Sequence, residues 1–151
     1  MSTVLYSAHP FAQPAVTSGR DDLQAHAAHR LGVVRHLVAS MMLGQMYGLH
    51  EEADLIFKAA SRLLGDGREL RISLAFASAV GGDLAPARTL LAEGLDDWPQ
   101  PEVARMSVAL ALKMGGAPEW QEVVEQTLAV SVDPVARRFG HQILNPDSPQ
   151  L

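Results

Sequence analysis

From residue 21 onward, apolar residues recur at helical spacing and the breaks between them carry glycine or proline. Asp21 or Asp22 is a suitable N-cap for a segment through Leu23 and Ala27 toward Gly32, and a second segment covers 33–47 and ends at Gly48. A helix is expected over 50–64, with Leu55, Ala59 and Leu63 on one face and an Asp54–Lys58 pair four residues apart in the favourable order. Gly65-Asp66-Gly67 is a turn. The next helix, 68–80, closes at Gly81-Gly82. Asp83 caps a helix over 84–97 whose stripe is Leu84, Ala87, Leu91, Leu95 and Trp98, and Trp98-Pro99-Gln100-Pro101 breaks it. Helices over 102–114 and 117–130 follow, with Pro118 in the first turn of the second, where its missing N–H costs nothing. Asp133-Pro134 starts a last helix that carries Val135, Phe139 and Ile143. Residues 1–20 and 145–151 show no period and are expected to be flexible tails around a helical domain at 21–144.

Gly48, Gly82 and Gly116 end three helices and lie 34 residues apart. Ala53 and Ala87 share that spacing, as do Phe57 and Leu91. This is the tetratricopeptide period, two antiparallel helices per unit. With Val34, Arg68 and Glu102 as first residues, the small turn residue falls on each of those glycines. The small packing residue falls on Ala53 and Ala87 but then on Gln121. The large apolar residue falls on Phe57 and Leu91 but then on Glu125, so the third unit departs in its second helix. The expectation is an all-α, tetratricopeptide-like stack of about three helix pairs, closed by a capping helix that leaves Arg137, Arg138, His141 and Gln142 to water.

In such a stack the first helix of each pair lines a concave groove, at its second, fifth, ninth and twelfth positions. These are Arg35, Val38, Met42 and Gln45, then Glu69, Ile72, Phe76 and Ala79, then Val103, Met106, Leu110 and Lys113. The middle of the groove is apolar and its edges are polar. The first helices are also apolar nearly all round at 33–46 and 104–114, and a helix of that kind is buried on every side. Something must therefore cover the face that a two-layer stack leaves open, either a partner helix, the chain's own N-terminal segment or a twin subunit. Half-burial of each apolar groove residue contributes on the order of 1 kcal/mol, against an association cost of about 4–15 kcal/mol. Met42 and Met106 suit a surface that adapts to its ligand. A terminal carboxylate would find no partner among Met42, Phe76 and Leu110, so capture of a peptide's C-terminal carboxylate is not expected.

Composition narrows the function further. Hydrophobic residues make up 48% and charged residues 19%, so apolar surface is in excess for a helical domain. The net charge of −5 lacks the basic field of a nucleic-acid binder. Cysteine is absent, which removes disulfides, thiol nucleophiles and thiolate metal sites. There is no apolar run long enough to span a membrane and no secretory leader, so a cytoplasmic protein is expected. His26, His29 and His36 lack a complementary carboxylate, and neither HExxH nor a Gly-rich phosphate loop nor a nucleophile elbow occurs. Asp21-Asp22 and Asp96-Asp97 read as helix-end charges. No enzyme, metal or cofactor is expected.

A stack of this size, with a Pro118-Glu119-Trp120 helix start and an Asp133-Pro134-x-x-Arg137 last helix, resembles the small tetratricopeptide proteins of bacterial type III secretion. These include the YscG-like needle chaperone subunit and the Hrp-type relatives of plant-associated bacteria. The resemblance spans about 33–144. It implies a cytoplasmic chaperone that holds the apolar C-terminal helix of a needle subunit in its concave groove and so prevents premature polymerisation, with a small helical co-chaperone alongside. By position, the groove residues named above would carry that contact. A general tetratricopeptide scaffold, or a homodimer joined through the same face, is the alternative.

Overall fold

The computed structural model describes residues 18–147. Seven helices follow one another: α1 (Ser18–Met46), α2 (His50–Leu64), α3 (Arg68–Val80), α4 (Ala85–Glu93), α5 (Pro101–Met114), α6 (Trp120–Val130) and α7 (Pro134–Leu144). No strand occurs among the described residues. The fold is all-α, as the periodicity implies.

Short turns fold the chain into antiparallel pairs, α1 with α2, α3 with α4 and α5 with α6. The turns after α1, α3 and α5 are the same turn. Gly48, Gly82 and Gly116 adopt φ of 78°, 91° and 75°, a region open to glycine and costly for other residues. The next residue donates its N–H five residues back: Leu49 to the Gly44 carbonyl at 2.8 Å, Asp83 to Ser78 at 2.8 Å and Ala117 to Leu112 at 2.9 Å. This is the long bond of a Schellman motif, and it satisfies a carbonyl that the helix end leaves orphaned. It recurs at the 34-residue interval of the sequence.

The first helices of the pairs pack side by side as a layer, α1 on α3, α3 on α5 and α5 on α7. The helices α1, α3 and α5 run parallel, because their C-terminal ends meet. A Cβ on Gly81 would lie 3.3 Å from the Gln45 carbonyl oxygen, and one on Gly115 would lie 3.1 Å from that of Ala79. Those contacts are again 34 residues apart. Such helix-pair packing is compatible with a tetratricopeptide-like stack. The main core lies between α3, α4 and α5, built on Ala75, Leu90, Leu95, Val108 and Leu112. A second cluster, Met106, Ala109, Val124 and Ile143, fastens α6 and α7 to it.

Several boundaries differ from expectation. Gly32 neither ends nor splits a helix. α1 runs unbroken through it and starts at Ser18, inside the segment expected as a tail. One glycine costs about 1 kcal/mol in a helix, too little to break one whose C-terminal half is docked. Residues 1–17 and 148–151 of the expected tails lie outside the described residues, and 145–147 are non-helical. α4 ends at Glu93 rather than near Asp97, because Gly94 takes φ 87° and ψ 153°, which turns Leu95 back into the core. α6 begins at Trp120, with Pro118 and Glu119 in the preceding turn. Its inward residues are Trp120, Val123, Val124 and Thr127, one residue earlier than the repeat places them, so Gln121 and Glu125 face water. In α7, Asp133 caps the helix as expected by accepting from the Val135 N–H at 2.9 Å. Val135 itself is exposed, and the inward face is Ala136, Phe139, Gly140 and Ile143.

Two glycine substitutions separate packing from propensity. At Gly115 a Cβ would run into Leu84 Cδ2 and sit 3.1 Å from the Ala79 carbonyl oxygen and 3.2 Å from Ala79 Cβ, whereas at Gly32 nothing lies within 4 Å. Gly115→Ala is expected to lower stability by about 1–3 kcal/mol through overpacking. Gly32→Ala is expected to raise it by about 0.5–1 kcal/mol. Urea unfolding of both variants checks the opposite signs.

Candidate functional site

The side-by-side layer of α1, α3 and α5 brings most of the expected groove residues to one face. On α1, Arg35 is exposed and Val38, Met42 and Gln45 are half-buried. Gln45 Oε1 also lies 2.6 Å from His50 Nδ1, which fixes the amide at the α1–α2 corner. On α3, Glu69 is exposed, and Ile72 and Phe76 are half-buried with their inner sides against the main core. On α5, Val103 and Leu110 are half-buried. The half-buried residues form an apolar band across three helices, bordered by Arg35 and Glu69.

Two of the expected groove residues are closed off. Ala79 is 1% exposed because the end of α5 lies on it, with Gly115 in direct contact. Met106 is 0% exposed because α7 covers it; its methyl abuts the backbone at Gly140, where a Cβ would sit 2.6 Å away. Lys113 is turned to an internal role as well. Its ammonium donates to the Ile143 carbonyl at the end of α7 and lies 4.5 Å from the Trp120 ring centre. The apolar excess of α5 is thus largely absorbed by α3, α4, α6 and α7, and no external partner is needed to bury it.

Between α3 and α5 the face deepens into a cleft of about 260 Å³, lined by Glu69, Ile72, Val103, Trp98, Pro99 and Ser107. Trp98 and Pro99 were legible in the sequence only as the end of a stripe and a helix break. Leu95 anchors this loop in the core, the Trp98 N–H donates to the Leu95 carbonyl at 3.1 Å, and the Trp98 ring is left at the cleft wall. Arg68 braces the same loop by donating to the Asp97 carbonyl at 2.9 Å, and Arg105 pairs with Asp96.

Charge pairs lie away from the apolar band. Arg88 on α4 meets Glu119 before α6 at 2.6 Å, linking two helix pairs, and the guanidinium hydrogen bond holds the Glu119 carboxyl below the usual carboxylate range. Arg68 does the same to Asp66 through a 2.7 Å bond. His26, His29 and His36 are exposed, and His36 Nδ1 lies 2.8 Å from the Gly32 carbonyl. Among the described residues no three His, Asp or Glu side chains converge as a metal-ligand set. No described helix is long and apolar enough to cross a membrane. The site therefore offers shape and apolar contact, with Glu69, Gln100 and Ser107 as polar groups in the α3–α5 cleft.

Comparison with protein-family models, with curated proteins and with solved structures gives no match for this chain.

Two outcomes test these assignments. Lys113→Met removes a charge-assisted bond of about 1.5–3 kcal/mol from the end of α7. Hydrogen exchange at residues 140–144 should accelerate at least about tenfold while α3 stays protected. Glu119 has a lowered folded pKa, so its contribution to stability is full above the ordinary carboxylate value of 4.5 and is lost as pH falls through the folded value. Glu119→Gln should therefore lose less stability than the parent between about pH 6 and about pH 3, measured as thermal midpoints.

Proposed function

We propose that this protein is a type III secretion chaperone or apparatus protein that holds an amphipathic helix of a needle-type subunit across the α1–α3–α5 face. The observation that supports this reading is the half-buried apolar band of Val38, Met42, Ile72, Phe76, Val103 and Leu110. Ile72, Phe76 and Leu110 pack against the core on one side, and all six are part-exposed, which suits an amphipathic helix laid into a groove. Met42 and the aliphatic neighbours adapt to the ligand's shape, and Phe76 is the one aromatic anchor in the band.

The mechanism needs no turnover and no cofactor. A self-assembling subunit polymerises through an apolar helix. A groove that covers the same surface competes with polymerisation by mass action, in the cytoplasm and before export. Arg35 and Glu69 at the borders, of opposite sign, set the orientation of the bound helix. A small helical co-chaperone is compatible with the exposed apolar side chains of α1 and α2. The same exposure favours, as a second reading, a tetratricopeptide-like scaffold or homodimer that uses these faces in another complex.

The test is a double substitution at positions that are open. Phe76→Glu with Leu110→Glu should weaken binding of the C-terminal helix of a needle protein by more than about tenfold, read by isothermal titration, while circular dichroism keeps its helical signal. Met106 is unsuitable for such a test, since a charge there would be buried beneath α7. Unchanged affinity in the double variant would rule out this face as the binding site.

A further inference from the structure

The inward seam of α1 does not stop where its neighbours stop. Met41, Val34, Leu31, Ala27 and Leu23 follow one another at three-, four- or seven-residue steps and share one side of the helix. Met41 is buried in the core, yet Leu31 is 62% and Leu23 72% exposed. The cause is length. α1 has 29 residues, and the C-terminal end of antiparallel α2 reaches only to the level of Arg30, which donates to the Leu63 carbonyl at 2.8 Å. The parallel α3 begins higher still, because its C-terminal end is level with that of α1. The first turns of α1 therefore project past both partners with their core-facing stripe uncovered. Where the stripe meets α2 there is an apolar cleft of about 290 Å³, lined by Ala27, Arg30, Leu31, Val34, Leu63 and Leu64.

The chain supplies an occupant of matching chemistry. Residues 1–17 contain no Asp, Glu, Lys or Arg, and they carry Val4, Leu5, Tyr6, Phe11 and Val16. A segment without side-chain ions can be buried without leaving a charge unpaired, and its apolar content is unlike that of a solvated tail. It joins the fold at Ser18, at the tip of the uncovered stripe. Ser18 to Leu31 spans about 20 Å at helical rise. The thirteen residues from Leu5 to Ser18 reach up to about 43 Å, so Leu5 attains the cleft with slack for a reversal. Pro10 and Pro14 favour an extended path for that stretch.

We propose that residues 1–17 fold back along the N-terminal half of α1, with Leu5 and Tyr6 in the Leu31–Leu63–Leu64 cleft and Phe11 nearer Leu23. This contact lies beside the α1–α3–α5 face and does not rest on its function. It makes the N-terminal segment the intramolecular cover of the α1 seam that α2 and α3 leave open.

The absence of cysteine allows a direct test. Leu5→Cys is combined with Leu63→Cys in one variant and with Arg62→Cys in another. Leu63 lies at the cleft and Arg62 on the far side of α2, at nearly the same chain separation, and both are exposed. Mild oxidation of the dilute full-length chain should close the 5–63 disulfide within one chain at least about tenfold faster than the 5–62 disulfide, because docking raises the effective concentration at one face only. Equal rates would overturn the proposal. A 5–63 disulfide formed mainly between chains would overturn it in favour of a second copy as the occupant.

Discussion

The close approach of successive first helices at their C-terminal ends sets the rest of the structure. Gly81 lies against the Gln45 carbonyl and Gly115 against the Ala79 carbonyl, so closely that a Cβ would sit 3.3 and 3.1 Å from those oxygens. That contact forces α1, α3 and α5 into a parallel layer and sets α5 between α3 and α7. A helix with α3 and α4 on one side and α6 and α7 on the other keeps only a narrow half-buried face, at Val103, Ser107 and Leu110, which is why α5 is apolar nearly all round. The glycine turns after α1, α3 and α5 follow from the same constraint, since the chain must reverse within three to five residues to let the second helix cover the layer.

The period of 34 was legible because a residue at positive φ leaves a mark in the sequence. Gly48, Gly82 and Gly116 are glycine for a backbone reason, and each has its counterpart bond. The inward face of α6 was not legible. Repeat arithmetic points to Gln121 and Glu125, but the turn through Pro118 and Glu119 brings Trp120 inward one residue early. The groove was legible in part. Counting positions treats all first helices alike, yet only α5 receives a capping helix, so Met106 is covered where its counterparts Val38 and Ile72 are not. The sign of that difference was Gly140, a small residue in the last helix at the point where Met106 packs. The overhang of α1 was hidden for another reason. Gly32 read as a possible break, and the length of α1 relative to α2 depends on tertiary packing rather than on local propensity.

The apolar excess of the composition divides into three portions with different physical meanings. The largest is internal and holds α5 among its neighbours. A second is the half-buried band on α1, α3 and α5, whose inner sides are spoken for and whose outer sides are free. The third is the exposed stripe of α1 with its cleft against α2. Ile72, Phe76 and Leu110 are held by the core beneath them, while Met42 keeps the freedom to adapt to a ligand. The charged pairs Arg88–Glu119 and Arg71–Glu93 tie second helices into the stack from its outer side and leave the band free of ions.

The central claim is that the α1–α3–α5 face docks a helix while the core beneath it stays closed. The six methionines are natural reporters, since Met42 lies in the band whereas Met41 and Met106 are fully buried. Methyl-labelled methionine spectra, recorded while a needle-protein helix is added, read all of them at once. The account predicts a saturable shift of the Met42 methyl with the Met41 and Met106 signals nearly still. A bound helix that leaves Met42 unmoved, or that shifts Met106 most, would contradict it.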